Sequence, residues 1–364
     1  MLKHLIKENI MRYTGLIEYY KDRLPVNDNT KLISLGEGNT PLIQLVNLPK
    51  ELSKDVDIYI KYEGLNPTGS FKDRGMTMAV TKALESGSKA IICASTGNTS
   101  ASAAAYAARA GIKAFVLIPE GKITLGKLAQ AMMHSAIIIQ IKGNFDDGMR
   151  LVKEVSEHVS VSIVNSINPF RLQGQKTAAF EIIEELGFAP DYHCLPVGNA
   201  GNISSHCMGY SELYKEGKVN NMPKMIGYQA AGSAPFVKGI MIDNPETIAT
   251  AIRIGHPQNW DLAQKVKKES KGWFSSLTDE KILSTQKLLS EREGIFCEPA
   301  SATALAGAIH DIKSGKIVNG SKIVCTLTGH GLKDSDTAIS QCNNQIININ
   351  PVISEVKNAI YNNM

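Results

Sequence analysis

Short aliphatic runs alternate with amphipathic stretches along most of the chain. The runs are rich in Val and Ile and predict eight strands, at residues 58–62, 90–94, 114–118, 137–142, 162–165, 193–197, 225–229 and 323–327. Between most of them lie Ala-, Lys- or Glu-rich stretches with helical spacing, for example at residues 100–110 and 177–186. Buried aliphatic strands that alternate with helices are typical of a parallel, doubly wound α/β architecture.

Length and composition are those of a globular protein with more than one core. The 364 residues, 43% hydrophobic and 20% charged, are enough for two lobes that each bury a core of their own. No linker stands out, so we expect more than one chain crossing between the lobes. The net charge of +4 and the absence of a long Lys/Arg run give nucleic-acid binding little support. The basic cluster at residues 265–268 is expected to be a solvated helix face.

Cysteine usage and the N-terminus indicate a cytoplasmic protein. The six cysteines have no metal-binding spacing and lie mostly in apolar segments, as expected for reduced thiols. Residues 1–20 carry charges throughout, so we expect no signal peptide. The longest aliphatic run, at residues 136–139, is far too short to span a bilayer, and we expect no membrane partner.

The segment at residues 66–75 places a lysine at the predicted start of a helix. Ser70 is positioned to cap this helix, with Asp73 three residues further on. Lys72 then lies in the first turn, where the helix dipole and Arg74 disfavour the ammonium form and lower its pKa. A neutral amine is what a Schiff-base lysine needs. The alternative is an ordinary solvated lysine at a helix start.

Two loops follow predicted strands and open helices. They are Ser95-Thr96-Gly97-Asn98-Thr99 and Gly198-Asn199-Ala200-Gly201-Asn202. Free backbone N–H groups at such a helix start favour an anion. The second loop is not GxGxxG and lacks the downstream acidic residue for a dinucleotide ribose, so a monophosphate cofactor fits better than NAD. Each loop could instead be a tight turn that lets its helix pack closely on the sheet.

Two further segments bring polar side chains to strand ends. Asn165 and Ser166 close a strand and Arg171 enters the next helix, a set that suits a dianionic phosphate, although Arg171 could also lie on a helix surface. Thr328 stands where a strand runs into a glycine-rich turn, and its hydroxyl can meet a ring nitrogen without carrying charge. His330 is either a general base or a turn residue bonded to the backbone, and we favour the turn residue. The scattered histidines suggest no metal site.

These segments, in this order, resemble the pyridoxal-phosphate enzymes of fold type II and, within that group, the threonine synthase family. The resemblance runs from about residue 36 to residue 334. The lysine segment and the loop at residues 198–202 mark the broad fold type. The segment at residues 165–171 and the run Thr-Ala-Ile-Arg-Ile-Gly at residues 250–255 are narrower marks that favour threonine synthases over dehydratases.

The resemblance implies a role for each segment. Lys72 would form the Schiff base with pyridoxal 5'-phosphate, Asn98 would contact the cofactor's 3-oxygen, and Thr328 its ring nitrogen. The loop at residues 198–202 would hold the cofactor's phosphate. The substrate's groups would be bound by two sets of side chains: its α-carboxylate by Ser95, Thr96 and Thr99, and its phosphate by Asn165, Ser166 and Arg171.

The implied enzyme is a lyase that converts O-phospho-L-homoserine and water to L-threonine and phosphate, as a homodimer. Its expected fold is α/β, with two lobes that are each a mostly parallel twisted sheet flanked by helices. Residues 1–75 and 161–364 would form the large cofactor-binding domain, and residues 76–160 a smaller mobile domain that carries the loop at residues 95–99. Two alternatives stay open: another enzyme on this scaffold, such as a dehydratase, and a binding protein that kept the fold and lost the chemistry.

Overall fold

The computed structural model describes residues 12–52, 54–120, 125–143, 145–342 and 346–364. Two separate β-sheets organise these residues, and helices connect their strands. The charged N-terminal stretch that argues against a signal peptide lies largely outside the described residues.

The larger sheet has six strands in the order β1-β2-β10-β7-β8-β9. Their bounds are β1 (Leu42–Gln44), β2 (Val56–Tyr62), β7 (Tyr192–Pro196), β8 (Lys224–Ala230), β9 (Trp273–Leu277) and β10 (Ser321–Leu327). β1 pairs antiparallel with β2, and all other neighbours are parallel. The carboxyl ends of these parallel strands, and the loops that follow them, therefore meet at one edge of the sheet.

The smaller sheet has four parallel strands in the order β5-β4-β3-β6. Their bounds are β3 (Ala90–Ala94), β4 (Lys113–Pro119), β5 (Ile137–Ile141) and β6 (Val161–Ile163). Because β6 pairs with β3, the smaller sheet extends to Ile163, slightly beyond the expected domain boundary at residue 160.

Helices cover both sheets. They are α1 (Leu16–Tyr19), α2 (Leu48–Glu51), α3 (Lys72–Glu85), α4 (Asn98–Ala110), α5 (Leu125–Met133), α6 (Phe145–His158), α7 (Pro169–Leu186), α8 (Gly201–Lys215), α9 (Pro235–Lys238), α10 (Trp260–Glu269), α11 (Asp279–Glu293), α12 (Pro299–Lys313), α13 (Ser335–Ser340) and α14 (Ile353–Tyr361). In the described part of the chain, no helix is both long and apolar enough to cross a membrane.

Buried apolar side chains fill both faces of each sheet. On the larger sheet, α11 and α12 contribute to one cluster, and α7, α8 and α10 to another. On the smaller sheet, α3 and α4 pack on one face and α6 on the other. Burial on both faces explains why the parallel strands are continuous aliphatic runs and not alternating patterns.

The mostly parallel α/β class and all eight predicted strands are confirmed, with ends that differ by a few residues. Two strands escaped prediction. β1 has three residues that are at most half-buried, and β9 contains two serines and has only one fully buried residue, so neither forms an aliphatic run. The cysteine prediction also holds: all six are free thiols, and only Cys342 is exposed.

Candidate active site

Helix α3 begins at Lys72, so the lysine lies in the first turn as predicted. The cap is not as predicted: the residue before the helix is Phe71, and no side chain caps it. The Asp73 carboxylate instead accepts hydrogen bonds from the backbone N–H of Thr68 (2.7 Å) and from its hydroxyl (2.6 Å). Asp73 thus fixes the turn ahead of the helix. The Ser70 hydroxyl is buried and has no hydrogen-bond partner among the described residues.

The surroundings of Lys72 favour a neutral amine. Burial, and then the positive charge of Arg171, lower the pKa of Lys72 to about 7, against a smaller opposing effect of Glu298. Its Nζ lies 4.3 Å from the centre of the Phe71 ring. The predicted lowering of the Lys72 pKa is confirmed, but the positive charge that contributes to it is Arg171 and not Arg74. Arg74 is held in buried ion pairs of its own.

The loop at residues 198–202 presents backbone donors at the start of α8. Ala200 adopts a left-handed conformation (φ 64°) directly before the helix. The Asn202 side chain donates to the Pro196 carbonyl (2.7 Å) and accepts from the Ile203 N–H (2.9 Å), which fixes the loop to the end of β7. Within the described residues, the backbone N–H groups of this loop have no protein acceptor. Such a cradle fits the phosphate of pyridoxal phosphate.

Asn98 is oriented by the buried carboxylate of Glu298, for which no role could be predicted from the sequence. Its Nδ2 donates to the two oxygens of Glu298 at 3.2 and 3.1 Å. Burial raises the pKa of Glu298. A Cβ at Gly329 would lie 2.5 Å from a Glu298 oxygen, so any other residue there would displace the Glu298 carboxylate. In the sequence, the available signal is an acidic residue immediately before the proline that starts α12.

Thr328 lies beside the lysine segment. Its carbonyl accepts a hydrogen bond from the Phe71 N–H (2.9 Å), and its Oγ1 lies 2.9 Å from the hydroxyl of Ser301. Two residues further on, the His330 Nδ1 accepts from the N–H of Leu332 (3.1 Å). The interpretation of His330 as a turn residue bonded to the backbone is therefore confirmed.

The loop at residues 95–99 leads from the smaller sheet towards the same region. It directly follows β3, and α4 begins at Asn98. The Ser95 hydroxyl accepts from the Gly97 N–H (3.3 Å). The N–H groups of Thr96, Asn98 and Thr99 have no acceptor within the described residues. The loop can therefore offer backbone and hydroxyl donors to a carboxylate.

Arg171 is a buried cation in the first turn of α7. It is 2% exposed, which excludes the helix-surface alternative. Its Nη1 donates to the Val164 carbonyl (3.1 Å), whereas its Nε has no partner among the described residues. Those residues also place no carboxylate within 4.0 Å of its guanidinium group. Burial lowers the pKa of Arg171 to about 10, a value at which it still carries its charge near neutral pH.

Asn165 is committed mainly to the scaffold. Its Oδ1 accepts from the Ala94 N–H and its Nδ2 donates to the Ala94 carbonyl, each at 3.0 Å. These bonds connect the end of β6 to the end of β3, next to Ser95. The second N–H of the Asn165 side-chain amide makes no hydrogen bond to the described residues. Ser166 is the next residue in the chain. Their contact with a substrate phosphate stays a prediction.

Comparison with known proteins agrees with this arrangement. The family model described as "Pyridoxal-phosphate dependent enzyme" matches residues 33–329. The solved threonine deaminase isoform 2 of Solanum lycopersicum has a TM-score of 0.71 at 22% identity, over 84% of this chain and 87% of that one. Maize serine racemase has a TM-score of 0.70 at 21% identity, over 90% of this chain and 92% of that one. Fold and site together define a pyridoxal-phosphate-dependent enzyme of fold type II.

Sequence relatives give a narrower assignment. The threonine synthase of Synechocystis sp. is 56% identical over 335 residues, which are 92% of this chain and 87% of that protein. The threonine synthase of Methanocaldococcus jannaschii is 53% identical over 88% of this chain and 81% of its own length. The chain belongs to the threonine synthase family. The resemblance found in the sequence and the cofactor that it implied are confirmed.

Proposed function

We propose that the protein converts O-phospho-L-homoserine and water to L-threonine and inorganic phosphate. The observation that carries this proposal is the buried Arg171 guanidinium, which has no carboxylate partner among the described residues and acts electrostatically on Lys72. The cofactor carries one phosphate, and the donors of the loop at residues 198–202 suit it. A second anion site close to the lysine is accounted for by a substrate that brings a phosphate of its own.

Pyridoxal phosphate, when bound, supplies an electron sink for negative charge that develops on substrate carbon atoms. Lys72 would hold its aldehyde carbon, and the loop at residues 198–202 its phosphate. Asn98 and Thr328 would hold the ring, at the 3-oxygen and the nitrogen respectively. These assignments are supported by the hydrogen bonds that connect Asn98 to Glu298 and the Thr328 carbonyl to the lysine segment.

The remaining residues act on the substrate. With its pKa lowered to about 7 by burial and by Arg171, the Lys72 amine is neutral in a large fraction of molecules at neutral pH. In that form it takes a proton from the substrate Cα and later returns protons to carbon. Donors of the loop at residues 95–99 (Ser95, Thr96 and Thr99) orient the α-carboxylate. Arg171, with Asn165 and Ser166, binds the phosphate and stabilises its charge as it leaves.

The proposal also covers the oligomeric state of the enzyme and its cellular compartment. The family resemblance supports a homodimer. The free thiols, of which only Cys342 is exposed, support a reducing compartment such as the cytoplasm.

The substitution Arg171→Leu tests the proposal. It removes the phosphate ligand and leaves the cofactor's own donors in place, so the protein should keep its cofactor absorption band. The kcat/KM for phosphohomoserine should fall by about ten- to a hundredfold or more, because a charge-assisted hydrogen bond contributes about 1.5–3 kcal/mol. Arg171→Lys is the matched control and should recover activity only in part, since it supplies charge without the planar fork. Loss of the cofactor band, or unchanged turnover, would contradict the proposal.

A further inference from the structure

The first turn of α12, with the residue before it, touches both side chains assigned to the cofactor ring. Glu298 precedes that turn and accepts from Asn98, as described above. Ser301, fully buried in the turn, has its Oγ 2.9 Å from the Thr328 Oγ1. The same oxygen accepts a hydrogen bond from the Gly329 N–H at 2.8 Å. The hydroxyls of the two buried residues Ser301 and Thr328 are therefore hydrogen-bonded to each other.

The proton of Ser301 has two possible acceptors. They are the Thr328 Oγ1 at 2.9 Å and the Gly329 carbonyl at 3.3 Å. The shorter distance favours donation to Thr328, because hydroxyl hydrogen bonds are normally 2.7–2.8 Å long. No other described side chain bonds to the Thr328 hydroxyl. When Ser301 donates, the proton of Thr328 is left for another acceptor.

We propose that Ser301 is a positioning residue that directs the Thr328 hydroxyl proton towards the ring nitrogen of the cofactor. The inference rests on the proposed function, which pairs Thr328 with that nitrogen. A donating hydroxyl needs a nitrogen with a free lone pair, so Ser301 would favour the unprotonated ring. Without Ser301, the Thr328 hydroxyl would be free to rotate and to accept a hydrogen bond from a protonated ring nitrogen instead.

Ser301→Ala tests this in the cofactor-loaded protein. The visible absorption of the bound cofactor should shift, and the pH dependence of that absorption should change relative to wild type. The kcat should fall about five- to tenfold, as expected for one lost neutral hydrogen bond, while KM changes less than about twofold. Thr303→Val is the matched control: it is fully buried in the same helix, its hydroxyl has no described partner, and its spectrum should stay that of wild type.

A double-mutant cycle separates action through Thr328 from a general packing effect. Added to Thr328→Val, the change Ser301→Ala should alter neither spectrum nor kcat further; fully additive effects would overturn the inference. If Thr328→Val changes the spectrum and Ser301→Ala does not, the inference fails and the proposed function stands. If Thr328→Val itself has no effect, the assignment of Thr328 fails, and the inference with it. Should Ser301→Ala not fold, Ser301→Cys keeps the shape of the side chain with a slightly larger atom and a weaker donor, and should give a smaller shift in the same direction.

Discussion

The pKa of the Lys72 amine is set by burial and by residues that are distant in sequence. Burial is the largest influence on its pKa, Arg171 is the next and acts in the same direction, and Glu298 opposes both. The opposing effects of this cation and this carboxylate leave the pKa of Lys72 near neutral pH, which suits the proton transfer to and from carbon that we propose for it. Changing either neighbour should therefore change how the lysine titrates.

Capture of the cofactor should report this pKa directly. When cofactor-free protein is mixed with pyridoxal phosphate, the rate at which the visible band grows should rise with pH and level off, with a midpoint at about pH 7. The direction follows from the lowered pKa, since the neutral amine is the nucleophile and predominates only above about pH 7. Arg171→Leu should move the midpoint upward, because it removes a nearby positive charge. A wild-type midpoint near the ordinary lysine value of about 10 would contradict the assignment.

At the scale of elements, a buried ion cluster joins α3 to α7 and β2. Arg74 pairs with Glu63 at 2.7 Å and with Glu181 at 2.6 Å, and Lys61 pairs with Glu181 at 2.8 Å. Burial disfavours the charge of Glu181, but Arg74 and Lys61 outweigh it and lower the pKa of Glu181 to about 2. The cluster holds the helix that carries Lys72 against the helix that carries Arg171.

Removing one charge from this cluster should lower the free energy of unfolding far more than removing an exposed charge. Glu181→Gln leaves a buried positive charge uncompensated and should lower the free energy of unfolding by about 3–5 kcal/mol, measured by urea denaturation at neutral pH. Glu154→Gln breaks the exposed pair of Glu154 with Arg150 in α6 and should change it by less than about 1 kcal/mol.

The same cluster predicts a pH dependence. Because the pKa of Glu181 is lowered on folding, its contribution is present above the unfolded value of about 4.3 and is lost as the pH falls towards 2. The difference in stability between wild type and Glu181→Gln should therefore shrink in acid. Equal stability of the two proteins at neutral pH would contradict this account of the cluster.

The elements and site residues that could be predicted from sequence are those marked by a pattern of neighbouring residues in the chain. The buried strands are continuous aliphatic runs, and Lys72, Arg171 and the loop at residues 198–202 stand at strand ends or helix starts. Glu298 and Ser301 could not be assigned roles, because their partners lie 200 and 27 residues away in the chain. The predicted cap at Ser70 is wrong because the helix is preceded by Phe71, and the predicted partner Asp73 bonds to Thr68 instead.

For the whole molecule, the proposed site draws on both sheets. The larger sheet supplies Thr328 and the loop at residues 198–202 from the ends of β10 and β7. The smaller sheet supplies the loop at residues 95–99 from the end of β3. Helix α3 connects them: it starts next to Thr328 and then buries Met76 and Val80 in the core of the smaller sheet. The mobility of the smaller unit stays a prediction.

We propose that this two-sheet site releases the phosphate of O-phospho-L-homoserine and forms threonine. The most direct measurement is to incubate the cofactor-loaded protein with this compound and to quantify free phosphate and the amino-acid products over time, with Lys72→Ala as the control. We expect phosphate and L-threonine in equal amounts from the wild type, and neither from the control above the rate without protein. Unconsumed substrate, or phosphate accompanied by an oxo acid and ammonia in place of threonine, would contradict the account.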